Sequence, residues 1–145
     1  MSTIQPYVFF EGRAEEAAEF YGQVLGAKVE VLMRYADSPE PTPAGMLPKG
    51  SERKVMHMAL TIGDSTLLGS DGNCSGQPKF AGFSLTYSAA SEADADRVFG
   101  KLAQGGQVQM PLGKTFFSPR FGMVADKFGV GWMVIVPAPM PATKK

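Results

Sequence analysis

The sequence has no excess of either charge: 14 Lys and Arg stand against 14 Asp and Glu in 145 residues. A neutral chain lacks the basic face that nucleic acid or an anionic membrane requires, so neither is an expected partner. Neutrality also removes the self-repulsion that discourages association, so a homodimer is easy to accept. Cysteine is nearly absent. With Cys74 alone, no disulfide can form within the chain, and a reducing, cytoplasmic home is expected. His57 is the single histidine, which excludes a His-rich metal centre. No apolar run approaches membrane length, and the N-terminus shows no basic-then-apolar leader, so a soluble protein is expected. Nucleophile elbow, P-loop and dinucleotide fingerprint are all missing, and Cys74 has no neighbouring histidine to form a Cys–His nucleophile. Asn73-Cys74-Ser75 matches a glycosylation sequon, which without a secretion signal reads as chance.

What is present suits a globular chain with a real core: 44% hydrophobic and 19% charged residues. The length fits one compact domain, or two half-size modules that share a core. Thr3 to Phe10 is β-rich and ends on the turn signal Glu11-Gly12. The period then changes. From Arg13 to Leu25, Ala14, Ala17, Ala18, Tyr21 and Leu25 fall on one helical face, with acidic residues early, where the helix dipole favours them. Gly26 is the expected stop. Lys28 to Tyr35 reads as a strand. It runs into a stretch where Pro39, Pro41 and Pro43 forbid a regular element. Lys54 to Ile62 and Ser65 to Ser70 are strands joined by the hairpin turn Gly63-Asp64. The order is β-α-β-β-β.

The second half repeats it. Phe80 to Ser88 reads as a strand, and Ser91 caps a helix carrying Ala95, Val98, Phe99 and Leu102 at helical spacing. Gly105-Gly106 ends that helix. Gln107 to Met110, Phe121 to Ala125 and Trp132 to Val136 read as three further strands. Ala17, Tyr21, Gly22 and Val24 match Ala95, Phe99, Gly100 and Leu102 at a constant offset of 78. The fold class is therefore α+β: two pseudo-repeated βαβββ modules, approximately 3–71 and 80–137, with a connector 72–79 that is flexible by composition. Each module exposes one face of a short sheet, and pairing is expected to bury those faces and form a curved mixed sheet around a cleft.

Three stretches resemble a known family. Gln5-Pro6-Tyr7-Val8-Phe9-Phe10-Glu11-Gly12 leads to Ala14-Glu15-Glu16-Ala17 and Phe20-Tyr21. Val55-Met56-His57-Met58-Ala59-Leu60 leads to Ile62-Gly63-Asp64 and Ser70-Asp71. Val108-Gln109-Met110-Pro111-Leu112 precedes Phe121-Gly122-Met123 and then Asp126-Lys127-Phe128-Gly129-Val130-Gly131-Trp132. Together they resemble the vicinal oxygen chelate superfamily of glyoxalases, bleomycin-resistance proteins and extradiol dioxygenases, and within it the PhnB-like branch. Some members of that branch carry a methyltransferase label linked to demethylubiquinone. The glycine-rich strand-turn-helix that usually cradles adenosylmethionine is missing here, because Gly69, Gly72 and Gly76 precede a strand.

The resemblance also implies four metal-ligand positions, one on each of four strands. Carried over, the first falls on Gln5, whose amide oxygen can ligate. The offset of 78 puts its counterpart at Phe83, which cannot. The position on the last strand falls at or near Met133, a thioether poorly suited to hard divalent ions, and its partner falls near Leu67 or Gly69. No metal and no other cofactor is therefore expected. The alternative is a metal-dependent lyase, isomerase or dioxygenase with an atypical ligand set including Gln5 and His57.

The remaining candidates each have a bland reading beside the functional one. In the strand from Val55, the set Met56, Met58, Leu60 and Ile62 belongs to the core, which puts His57 on the less apolar face, cleft or solvent. A lone strand histidine is more often simply packed and hydrogen-bonded. Asp71 and Asp126 sit just past strand ends, and turn-stabilising bonds explain Asp126 at least as well as catalysis. Arg34, Arg53 and Arg120 could grip a carboxylate or phosphate, or be solvated surface groups. Tyr7, Phe116, Phe117 and Trp132 could line an apolar pocket or be core. Met33, Met56, Met58, Met110, Met123 and Met133 would give a soft interior. The stretch from Ser38 to Lys49 reads as a lid, a dimer arm or a loose surface loop. The favoured expectation is a small, partly apolar ligand in the cleft, with Gln5, Tyr7, His57, Asp71, Phe117 and Trp132 as its pocket. A third reading is a non-catalytic interaction module whose cleft is filled by its own side chains.

Overall fold

The computed structural model describes residues 2–40 and 45–138. It divides into two compact units, Met1–Pro78 and Lys79–Lys145. The first contains β1 (Tyr7–Phe9), α1 (Ala14–Leu25), β2 (Lys28–Arg34), β3 (Val55–Ile62) and β4 (Ser65–Ser70). The second contains β5 (Leu85–Ser88), α2 (Glu92–Ala103), β6 (Gln107–Gly113), β7 (Phe121–Ala125) and β8 (Gly131–Ile135). Each unit is one four-stranded mixed sheet with one helix, in the orders β1-β4-β3-β2 and β5-β8-β7-β6. The α+β class and the βαβββ order stand as read from the sequence.

Helix α1 forms where the apolar period predicts. Ala14, Ala17, Tyr21 and Val24 are buried, and Gly26 closes the helix in the left-handed region that glycine adopts without a Cβ penalty. Its target is the sheet face bearing Val8, Met58 and Leu60, each worth about 1.5–3 kcal/mol on full burial. Met58 pairs directly with Gly69, and a Cβ on Gly69 would lie 3.0 Å from the Met58 methyl. The small residue makes room for the large one. Helix α2 starts with Ser91, whose hydroxyl accepts from the Asp94 amide, and buries Ala95, Val98, Phe99 and Leu102.

Several elements differ from the sequence expectation. The first strand shrinks from Thr3–Phe10 to Tyr7–Phe9, because Pro6 has no N–H to donate and only its carbonyl joins the ladder, accepting from the Leu68 amide. The strand expected from Phe80 begins at Leu85. Conversely, β6 runs on to Gly113 through Pro111, tolerable because β6 is an edge strand with β7 as its single partner. The last strand is Gly131–Ile135 rather than Trp132–Val136. Tyr35 leaves its strand for a 3-10 turn, Tyr35–Asp37. The start of the connector is pinned rather than loose: Gly76 and Ser75 donate amides to Glu11, and the Tyr35 hydroxyl donates to the Gly72 carbonyl. Of the Pro-rich stretch, 41–44 lie outside the described residues, so the lid or arm reading falls partly there. The methionines do not form a soft interior. Met58 alone of the six is fully buried, and Met110 is exposed.

Candidate functional site

Residues paired across strands share a sheet face, and neighbours along a strand alternate. The pairings Tyr7 with Leu68, Leu68 with Ala59, and His57 with Met33 therefore place Tyr7, Phe9, His57, Ala59 and Leu68 on the first sheet's face away from α1. There Tyr7 Oη lies 3.0 Å from His57 Nδ1, with the two rings stacked at 5.6 Å. Tyr7 also packs on Phe9 at 5.0 Å. Both aromatics remain open to solvent, Tyr7 at 38% and Phe9 at 52%. Two of the expected pocket residues are thus brought into contact. Phe9 belongs with them and was missed by sequence reasoning. It keeps the same parity as Tyr7 on β1, and that alternation is the signal for it.

The other expected residues do not join this group. Gln5 is exposed and precedes β1. Asp71 is only 1% exposed and is spent on the backbone: Oδ1 accepts from the Gly12 and Ala14 amides, Oδ2 from the Val55 amide. It ties the start of α1 to β3. Trp132 is buried on the face of the second sheet that meets α2, and its indole N–H donates to Asp126 Oδ2 at 2.9 Å. Asp126 Oδ1 accepts from the Phe128 and Val130 amides, so it stabilises the turn before β8. Phe117 packs edge-on against Phe121 at 5.1 Å, and Phe116 is almost wholly exposed. Arg120 is committed to two carboxylates, Glu92 at 3.3 Å and Asp96 at 3.1 Å.

The strand registers correct the positions inferred from the repeat. The Phe10 amide donates to the Ser70 carbonyl at the end of β1, as the Ala89 amide does to Ile135 at the end of β5. That equivalence aligns Tyr7 with Thr86, Gln5 with Ser84, and Leu68 with Met133. The strands are offset one residue further than the helices, and one residue turns a side chain to the opposite face. The counterpart of Gln5 is thus Ser84, not Phe83, and the counterpart of Met133 is Leu68, between the expected Leu67 and Gly69. In the first unit the pair is an amide and an aliphatic side chain; in the second, a hydroxyl and a thioether. Such a set does not fit a hard divalent ion. Among the described residues no three His, Cys, Asp or Glu side chains converge. The chain passes from Gly69 through Gly76 to β5 with no helix between.

Charged and polar groups around the units are tuned by specific partners. The Arg34 guanidinium, bonded to both oxygens of Glu15 at 3.1 and 2.6 Å, holds that carboxyl below its ordinary range. Burial pushes the Cys74 thiol and the Tyr35 hydroxyl up, so neither is a ready nucleophile or base near neutrality. Burial and a hydrogen bond to Asp94 push Tyr87 up to about 12. Burial works against ionisation of Asp94, yet bonds from Tyr87, Arg97 and the Ala90 amide outweigh it and lower its titration. The Tyr87–Asp94 pair went unnoticed in the sequence because the two residues lie on different elements.

Comparison with known proteins agrees with the fold. Residues 2–135 match the family described as 3-demethylubiquinone-9 3-methyltransferase. The chain is 32% identical to Protein YjdN of Escherichia coli K12, covering 95% of this chain and 97% of that one. The crystal structure of PA1353 from Pseudomonas aeruginosa is 40% identical with a TM-score of 0.81, over 94% of this chain and 98% of that one. A putative 3-demethylubiquinone-9 3-methyltransferase, PhnB protein, from Bacillus cereus is 31% identical with a TM-score of 0.76, over 93% and 99%. No helix among the described residues is long and apolar enough to cross a membrane. The chain belongs to this methyltransferase-labelled family, in the PhnB-like branch of the vicinal oxygen chelate superfamily.

Proposed function

We propose that this protein binds a small, partly apolar organic molecule on the open face of its first sheet, without a resident metal. The observation that carries the reading is the Tyr7–His57 hydrogen bond beside the exposed ring of Phe9. Exposed aromatic area supplies apolar contact, while the hydroxyl–imidazole pair supplies a directional polar one. His57 has its Nδ1 engaged by Tyr7, which fixes the ring and leaves Nε2 to accept from or donate to a ligand. A carbonyl, phenol or carboxylate on a ring-sized molecule suits that arrangement. The donor-poor positions Gln5, Leu68, Ser84 and Met133 support the metal-free part of the proposal, since ligation by Gln5 alone would not hold a divalent ion. A homodimer is proposed with it, and light scattering of the eluted protein measures that directly.

The test is a screen of phenols, quinones and aromatic carboxylates against 15N-labelled protein. Saturable shifts are expected to cluster at Tyr7, Phe9 and His57, to weaken at least tenfold in His57→Ala, and to persist with chelator. Shifts confined to other residues, or none with any compound, would sink the binding reading. One divalent ion per chain, found by elemental analysis of protein purified without chelator, would overturn the metal-free part.

A further inference from the structure

A cavity of about 290 Å3 opens beside the start of α1, away from the face of Tyr7 and His57. Arg34, Arg53 and Lys54 line it, with Glu15 and Asp71 as the carboxylates. We propose that it binds a phosphate group, free or carried on a small organic molecule, gripped by Arg53 and Lys54.

The roles follow from which donors are already spent. Arg34 is fixed: its Nη1 and Nη2 bond Glu15, and Nη1 also donates to the Arg53 carbonyl at 2.7 Å. Asp71 is held by three backbone amides, two on Oδ1 and one on Oδ2. Lys54 Nζ donates to the Gly12 carbonyl at 2.8 Å, which orients the ammonium and leaves two of its three donors. Arg53 gives its carbonyl to Arg34, while its guanidinium makes no ion pair or hydrogen bond among the described residues. Three cations thus meet two carboxylates, leaving a surplus of positive charge with planar and tetrahedral donors free. A phosphate group accepts through three or four oxygens and suits a guanidinium fork beside an ammonium. The volume lies near the low end of ligand pockets, roughly 300–1,000 Å3, which fits a phosphate group with waters or a short organic tail. The equivalent corner of the second unit has no such surplus, because Arg120 faces both Glu92 and Asp96.

The experiment is an NMR titration of the whole 15N-labelled chain with inorganic phosphate and, separately, with methyl phosphate, at constant ionic strength set by chloride. Saturable shifts at the amides of Gly12, Gly50 and Lys54 are expected with at least one of the two. Phosphate alone would mark a site for the free ion; methyl phosphate binding as well or better would mark a phosphorylated small molecule. Arg53→Gln and Lys54→Gln are each expected to weaken binding about tenfold and their combination to abolish it, with circular dichroism unchanged. Absence of saturable shifts in the wild type, equal shifts with chloride alone, or undiminished binding in the double variant would each overturn the proposal.

Discussion

In the first unit the sheet face away from the helix carries Tyr7 hydrogen-bonded to His57; in the second, the registers put Thr86 and Phe121 at the equivalent places. The same backbone plan therefore presents a polar aromatic pair once and an apolar surface, with Met123, Met133 and the Phe117–Phe121 contact, the other time. A repeat fixes where side chains emerge, while their chemistry is free to diverge between copies. The buried carboxylates diverge likewise. Asp71 ties the helix start to β3 in the first unit, whereas Asp126 ties the β7–β8 turn and Trp132 in the second.

The largest break in that comparison is expected from Asp71→Ala. Three amides would lose their acceptor, that of Gly12 in a part-buried position and those of Ala14 and Val55 in buried ones. Each unpartnered buried group costs about 1–3 kcal/mol, so a loss of roughly 3 kcal/mol or more is expected in a urea melt. A melt shifted by less than about 1 kcal/mol would mean that α1 and β3 are held together by packing alone.

Next comes the pair of large and small residues under each helix. Met58 opposes Gly69 in the first unit, and in the second the roles are exchanged, with Gly122 opposite Val134. A Cβ on Gly122 would lie 2.7 Å from the Phe99 ring and 2.9 Å from the Leu112 Cα. Gly122→Ala is therefore expected to cost about 1–3 kcal/mol by overpacking. Pairing it with Phe99→Leu should recover part of that loss, since the ring edge is one of the two obstacles. A third, smaller effect separates the helix starts. Ser91 caps α2 with its hydroxyl, while Arg13 at the start of α1 makes no side-chain cap. Ser91→Ala should cost about 1 kcal/mol, whereas Arg13→Ala should cost α1 no cap at all.

Much of this was legible in the sequence. Helix periodicity, the Ser91 cap, the Gly26 stop and the Gly63 hairpin are local signals, and all appear where expected. The face of His57 was legible too, because one strand's alternation separates Met58 and Leu60 from it. Strand register was not. It is set by hydrogen bonds between segments far apart in sequence, so the offset taken from the helices put the counterpart of Gln5 at Phe83, one residue and hence one face away from Ser84. Trp132 and Asp71 looked like cleft residues because position near a strand end does not reveal that backbone amides or another carboxylate have already claimed the polar atoms. The cavity at Arg53 and Lys54 was invisible for a further reason: it is assembled from α1, β2 and the segment before β3.

The smallest expected effect is a pH dependence peculiar to the second unit. Asp94 accepts from the Tyr87 hydroxyl at 2.7 Å, from Arg97 at 2.8 Å and from the Ala90 amide. Burial opposes its ionisation, but these bonds prevail and its folded pKa lies below the ordinary 3.8. A carboxyl with a lowered folded pKa contributes stability that is fully present above its unfolded value and is lost as pH falls through the folded one. Asp94→Asn removes that contribution, so the variant should be less stable than the wild type at pH 7 and the difference should shrink as the pH falls below about 4. Tyr87→Phe, which deletes one of the three bonds, should give a smaller loss at pH 7 and move the acid midpoint the same way. Glu15 in the first unit is also lowered, through Arg34, but it is exposed and screened by solvent, so Glu15→Gln should leave the acid limb almost unchanged. Parallel urea melts of the three variants between pH 3 and 7 separate the two units. Equal flattening by Glu15→Gln and Asp94→Asn would show that exposure does not distinguish them.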